Sequence, residues 1–199
     1  MLIYSTDPES KLTIGSQAHM AFESGCKWIQ LNMPQCSDAV QRKNYVDEVM
    51  RFCKGSDIIL TIGNDSDLVM ETRVHGVHLD AASTPNAPVI RQQLGPHAII
   101  GITSSSVCEI KELKLKADAD YALLPLKSLE DAAKFIAELR AGSVTIPVVL
   151  RIESDTCVTN GLIHEILDSG ANGLLYSSKS DNVGLEIQNI LDATNSIKE

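Results

Sequence analysis

The chain reads as a closed parallel (β/α)8 barrel of the TIM type, eight-stranded, compact and filling residues 1–199 as one domain. Three observations predict it. Short apolar runs alternate with amphipathic helical patterns from one end of the sequence to the other, with no linker or low-complexity segment between them. The strands are aliphatic and rich in β-branched residues, as expected where a sheet is covered on both faces. The turn after the first strand, Thr6-Asp7-Pro8-Glu9, is not the glycine-rich phosphate turn that an open doubly wound sheet usually carries.

The elements follow in order. Leu2 to Ser5 is a first strand, and Asp7-Pro8 turns the chain into a helix from about Gly15 to Glu23, stopped by Gly25. Lys27 to Asn32 is the second strand, ended by Pro34, which has no N–H to give a ladder. Ser37-Asp38 caps a long helix whose Val40, Tyr45, Val46, Val49, Met50 and Phe52 are expected to face inward. Ile58 to Ile62, a helix over Asp67 to Val74 and a strand from Gly76 to Leu79 make the next βαβ unit. A helix over Ala87 to Leu94 ends at Gly95-Pro96. Ala98 to Ile102, Asp120 to Leu124, Ile146 to Ile152 and Gly173 to Tyr176 supply the remaining strands. Helices over 107–115, 129–139 (capped by Ser128), 158–167 and 183–193 fill the intervals.

A chain of 199 residues with a formal charge of −9 has room for one substantial core and lacks the basic surface that nucleic acid or an anionic membrane requires. The five cysteines form no C-x-x-C pair and read as buried free thiols in a reducing compartment. The amino terminus has no basic region followed by an apolar stretch, and no run approaches a bilayer span. A soluble cytoplasmic protein is expected, with a homo-oligomer left open.

In a barrel of this kind the chemistry sits at the carboxyl ends of the strands. Those tips carry Asn32, Asn64-Asp65, Asp80, Thr103-Ser104, Lys127, Arg151 and Glu153, and Ser177-Ser178-Lys179. Such a set could hold a divalent cation through oxygen ligands, with a phosphate beside it. Asp65 suits either a metal ligand or the N-cap of the helix that follows. His78 alternates with Val77 and Leu79, so it is either a buried, hydrogen-bonded barrel histidine or an acid/base group. His19, His75, His97 and His164 are expected at the surface.

The segments Gly25-Cys-Lys-Trp-Ile-Gln30-Leu31, Asn64-Asp65, Gly76-Val-His-Leu79, Ile100-Gly101-Ile-Thr103 and Ala119-Asp120-Tyr121 with Pro125 resemble thiamine phosphate synthase and its TenI relatives, in register across nearly the whole chain. The resemblance implies a (β/α)8 barrel that joins an aminopyrimidine methyl diphosphate to a thiazole phosphate with Mg²⁺, releasing pyrophosphate. It also implies substrate contacts at Gln30, Asn32, Asn64, Thr103, Lys127, Tyr176 and Ser177, and a metal ligand at Asp65.

The match is incomplete where the chemistry would be. The family's Gln-Leu-Arg-x-Lys reads Gln30-Leu31-Asn32-Met33-Pro34, without its two cations. The second metal-binding aspartate is replaced by Ser83, with Asp80 nearby. The threonine-rich loop after the sixth strand shrinks to Leu124-Pro125-Leu126-Lys127, and the glycine pair after the seventh becomes Ile152-Glu153. Each lost charged partner costs about 10²–10³ in rate at such a site, so coupling is expected to be impaired. The alternatives are a non-catalytic barrel that binds a thiamine precursor or a regulatory partner, and an isomerase of the TenI type. The last fits least, because Thr103-Ser104-Ser105 offers no histidine.

Overall fold

The computed structural model describes residues 1–34, 37–125, 128–152 and 158–196. Within them eight strands close into a parallel barrel in chain order: β1 (Leu2–Ser5), β2 (Trp28–Leu31), β3 (Ile59–Gly63), β4 (Gly76–Leu79), β5 (Ile99–Thr103), β6 (Tyr121–Pro125), β7 (Val148–Ile152) and β8 (Gly173–Tyr176). Around it lie α1 (Ile14–Glu23), α2 (Ala39–Cys53), α3 (Ser66–Thr72), α4 (Ala87–Leu94), α5 (Val107–Ala117), α6 (Leu129–Ala141), α7 (Asn160–Asp168) and α8 (Val183–Ser196). The expected architecture is therefore present, with every strand pair parallel and β8 returning to β1.

Alternation along each strand builds two cores. Side chains such as Tyr4, Ile29, Ile62, Val77, Ile102, Leu150 and Tyr176 turn outward and pack under the helices, while Ile3, Trp28, Tyr121, Leu123, Val149 and Leu175 fill the inside. Several helices start on an oxygen cap: Asp38 makes a full capping box with Gln41, and Ser128 caps α6, whose first turn carries Glu130 and Asp131.

Some boundaries and orientations differ from expectation. Val40 and Met50 on α2 are 68% and 38% exposed rather than inward, while Val46 and Val49 are buried and Tyr45 and Phe52 pack, partly buried, against the core. The strand expected from Ile146 starts at Val148, since Pro147 lacks the N–H that would pair it. The α3 helix stops at Thr72, with Arg73 in the left-handed region at φ 57°. Cys26 is buried as expected, but Cys108 is exposed. His19, His75, His97 and His164 are at the surface.

The lower, amino-terminal end of the barrel is stapled by two arginines. Arg91 donates all five N–H groups: to the carbonyls of Ala117, Gly95, Ala98 and Asp118, and to the Asp120 carboxylate at 2.8 Å. Arg140 bonds the carbonyls of Val144 and Ile146 and the amide oxygen of Asn172.

Candidate functional site at the barrel mouth

The register sets which side chains meet inside. Successive pairs Ser5–Gln30, Gln30–Thr61, Thr61–Gly76 and Gly76–Ile99 run from the top of β1 to the bottom of β5. The tilt this requires brings inward residues of alternate strands level in layers of four. Ser5, Gly63, Thr103 and Arg151 form the top layer. Gln30, His78, Leu123 and Leu175 lie beneath it, and Asn32, Asp80, Pro125 and Ser177 ring it above.

Below the mouth the polar groups of β4, β5 and β6 satisfy one another. His78 holds Tyr121 Oη at 2.9 Å through Nδ1 and Thr103 Oγ1 at 2.9 Å through Nε2, so a neutral ring is bonded at both ends. Burial, with the charge of Arg151 second, pushes its pKa down to about 3. It is the buried barrel histidine of the two possibilities, neutral at ordinary pH. Burial likewise raises the Tyr121 phenol. Gly101 is required here, because a Cβ would collide with the Tyr121 ring. Trp28 donates to Thr61 Oγ1 at 3.2 Å.

At the β3–β4 rim Asn64 sits at φ 57°, a conformation asparagine tolerates. Its side chain donates to Asp80 Oδ2 and accepts from the Asp80 N–H, both at 2.9 Å. Asp80 Oδ1 takes the Ser83 N–H at 2.8 Å, and Ser83 starts the short turn Thr84–Asn86. Desolvation works to raise the Asp80 pKa, but the bonds from Ser83, Asn64 and Ala82 outweigh it and the net shift is downward.

Asp65 occupies the N-cap of α3, its Oδ1 accepting from the Leu68 N–H at 3.0 Å. Its other oxygen lies 3.1 Å from Arg42 Nε of α2. That Nε makes no directed hydrogen bond, so the contact is an ion pair by proximity rather than by aim. Arg42, a cation supplied from a helix and not from a strand tip, was not legible in the sequence; only its position one turn into α2 hinted at it. A small hollow of about 260 Å³ lined by Met33, Pro34, Arg42, Gly63, Asn64 and Asp65 opens beside the pair.

The residues fit a divalent cation poorly at this point. Among the described residues no three His, Cys, Asp or Glu side chains converge on a metal-sized space. Both Asp65 oxygens are engaged and Asp80 is tied to Asn64 and Ser83, so neither presents a vacant oxygen pair.

Of the other sequence-predicted residues, Asn32 bridges Gln30 Nε2 (3.3 Å) and Ser5 Oγ (2.9 Å) and fills the space over Gly63, where a Cβ would collide with its oxygen. Gln30 is 3% exposed, and its Oε1 has no hydrogen-bond partner. Ser177 sits inward at the end of β8, buried. Tyr176 does not face the mouth: one residue earlier in the alternation, it turns to the helices and its hydroxyl bonds Glu186 at 2.9 Å. Lys179 is paired with Glu9 at 2.6 Å. Lys127 and Glu153 lie outside the described residues.

A larger groove of about 520 Å³ between the carboxyl ends of α2 and α3, lined by Met50, Cys53, Leu60 and Val74, opens at the opposite end of the barrel from these groups. The mouth is the candidate site, because there, among the described residues, inward polar side chains from several strands converge.

The sequence over residues 1–125 matches the thiamine monophosphate synthase family. The thiamine-phosphate synthase of Bacteroides fragilis is 30% identical over 177 residues, covering 80% of this chain and 81% of that one. That of Bacteroides thetaiotaomicron is 27% identical over 99% of both chains. Among solved structures, the thiamine phosphate pyrophosphorylase of Pyrococcus furiosus superposes with a TM-score of 0.82 at 20% identity, over 100% of this chain and 96% of the other, which speaks for the fold. No described helix is long and apolar enough to cross a membrane. By fold and by sequence match, the chain belongs to the thiamine monophosphate synthase/TenI family.

Proposed function

We propose that this protein keeps the family's ligand chemistry, taking a phosphorylated thiazole or pyrimidine at the barrel mouth, while coupling the two slowly or not at all. The observation that carries this reading is the commitment of the diphosphate side of the mouth. Asp65 is spent on a helix cap and on Arg42, and Asp80 on Asn64 and Ser83. Expulsion of pyrophosphate needs concentrated positive charge around the leaving group, which the family draws from Mg²⁺ and basic side chains. Here Asn32 and Pro34 stand where two cations would be, and Arg42 is neutralised by Asp65. If Mg²⁺ binds with a diphosphate, Asp65 is the residue to hold it, and Arg42 must first give way.

Ligand binding is supported by what stays open. The buried Gln30 Oε1 asks for a donor such as a ring amino group, and Thr103, Ser5 and Ser177 offer hydroxyls around it. A cytoplasmic location accords with free cysteines and small phosphorylated ligands. The synthase reading proper is favoured by the names of the curated relatives. Pyrophosphate release with both substrates and Mg²⁺ separates the two. The proposal expects a rate at least about 10³-fold below a complete synthase, from the loss of more than one charged partner. It also expects an upward shift of the unfolding midpoint with the thiazole phosphate alone. Turnover at an ordinary synthase rate would refute it.

A further inference from the structure

Arg151 stands apart from the other cations of the mouth. It lies between Leu150 and Ile152, both fully buried under the helices, so alternation sends its side chain into the barrel, level with Ser5, Gly63 and Thr103. The other three members of that layer are small, which leaves the axis to the guanidinium. Among the described residues Arg151 makes no hydrogen bond and no ion pair, and its Nε is sealed from solvent without a partner. Its charge is felt by His78, where it acts with burial to keep the ring neutral.

A partly buried guanidinium with its donors unpaired costs stability, and proteins seldom retain one without a use. Five N–H groups in a planar fork match an oxyanion better than any neutral group. We propose that Arg151 anchors the oxyanion of a small ligand that enters along the barrel axis, the anion being a phosphate monoester or a carboxylate. Thr103 in the same layer and Ser177 just above it supply hydroxyl donors to the remaining oxygens. One cation suits one such group and not a diphosphate. The inference rests on the reading that the mouth takes a ligand, but not on any coupling reaction.

The test is titration of the intact protein with inorganic phosphate and, separately, with acetate, for wild type, Arg151→Met and Arg151→Lys. Loss of a fork to an oxyanion should weaken binding of the preferred probe at least about 10-fold in Arg151→Met. Arg151→Lys should recover part of it, having charge without the planar fork. Which probe binds tells phosphate from carboxylate. Because the charge is unpaired in the free protein, the unfolding midpoint of Arg151→Met should equal or exceed that of wild type. Equal binding by wild type and Arg151→Met overturns the proposal, as does wild type that takes neither probe. A midpoint that drops well below wild type also overturns it, marking the arginine as structural. If the thiazole phosphate binds wild type and Arg151→Met alike, the mouth is a ligand site but Arg151 is not its anchor. If it binds neither, the reading of the mouth fails as well.

Discussion

Two arginines show how differently the two ends of this barrel are built. Arg91 at the bottom has every side-chain N–H bonded, while the Arg151 side chain at the top has no partner among the described residues. The first ties the chain leaving α4 and α5 to the starts of β5 and β6, and its partners are mainly backbone carbonyls outside the sheet ladder. The second is surrounded by side chains that already bond elsewhere or are too small to reach it. A polar group that the fold itself satisfies contributes to the fold. One that the fold leaves open, in a barrel mouth, is there for something that arrives.

The comparison can be broken most forcefully at the bottom. Arg91→Ala takes the donor from four carbonyls, while Asp120 keeps the Ile100 N–H, and should cost about 3–4 kcal/mol, read from urea unfolding. A cost under about 1 kcal/mol would show that the staple is ornamental.

Next in size is the layer between the two ends. His78→Ala removes bonds to Tyr121 and Thr103 and leaves a cavity, for about 3 kcal/mol. The same ring predicts a pH dependence. Its folded pKa, about 3, lies below the unfolded value of 6.5. Between the two the unfolded chain takes up the proton and the folded one does not. Stability should therefore be full above pH 6.5 and fall as pH drops, by at most about 1.4 kcal/mol per unit. His78→Gln should flatten that slope; an unchanged slope would place its origin elsewhere.

The β3–β4 rim should respond less. Asp65→Ala loses a helix cap and should cost about 1 kcal/mol by thermal or urea unfolding. Asp65→Asn keeps the cap and gives up only a partly exposed ion pair, for about 0.5 kcal/mol. If Asp65→Asn also leaves thiazole phosphate binding with Mg²⁺ unchanged, the cap is the residue's main role.

The smallest effect is expected at Asp80. Its pKa is lowered in the fold, so its contribution is present above the unfolded carboxylate range and is lost as pH falls through the folded value. In Asp80→Asn the acid limb of the stability curve should be slightly shallower.

The barrel was legible because its signals are periodic: alternation along the strands, 3.6-residue patterns in the helices, and proline and glycine between them. Where the pattern was read without its neighbours it erred. Val40 and Met50 look like part of an apolar stripe, but α2 touches the barrel along a narrower face. Tyr176 and Ser177 are adjacent in sequence and face opposite ways, so the match at that tip belongs to Ser177 alone. Asn64-Asp65 was found from sequence, but the partner that occupies Asp65 comes from a helix more than twenty positions earlier, which no local motif displays. Arg151 carries a readable signal: an arginine flanked by Leu150 and Ile152 in a barrel strand must point inward. What no sequence pattern reveals is whether such a charge is answered by the fold, since that depends on partners from other strands.

The most direct measurement follows the side-chain N–H signals of Arg151, Gln30 and Asn64 by NMR while the thiazole phosphate is added. The account predicts that Arg151 Nε–H and the Gln30 amide move together along one saturation curve, while the Asn64 amide, already bonded to Asp80, stays in place. Movement of Asn64 with Arg151 and Gln30 unmoved would contradict it, placing the ligand on the rim that the fold has already satisfied.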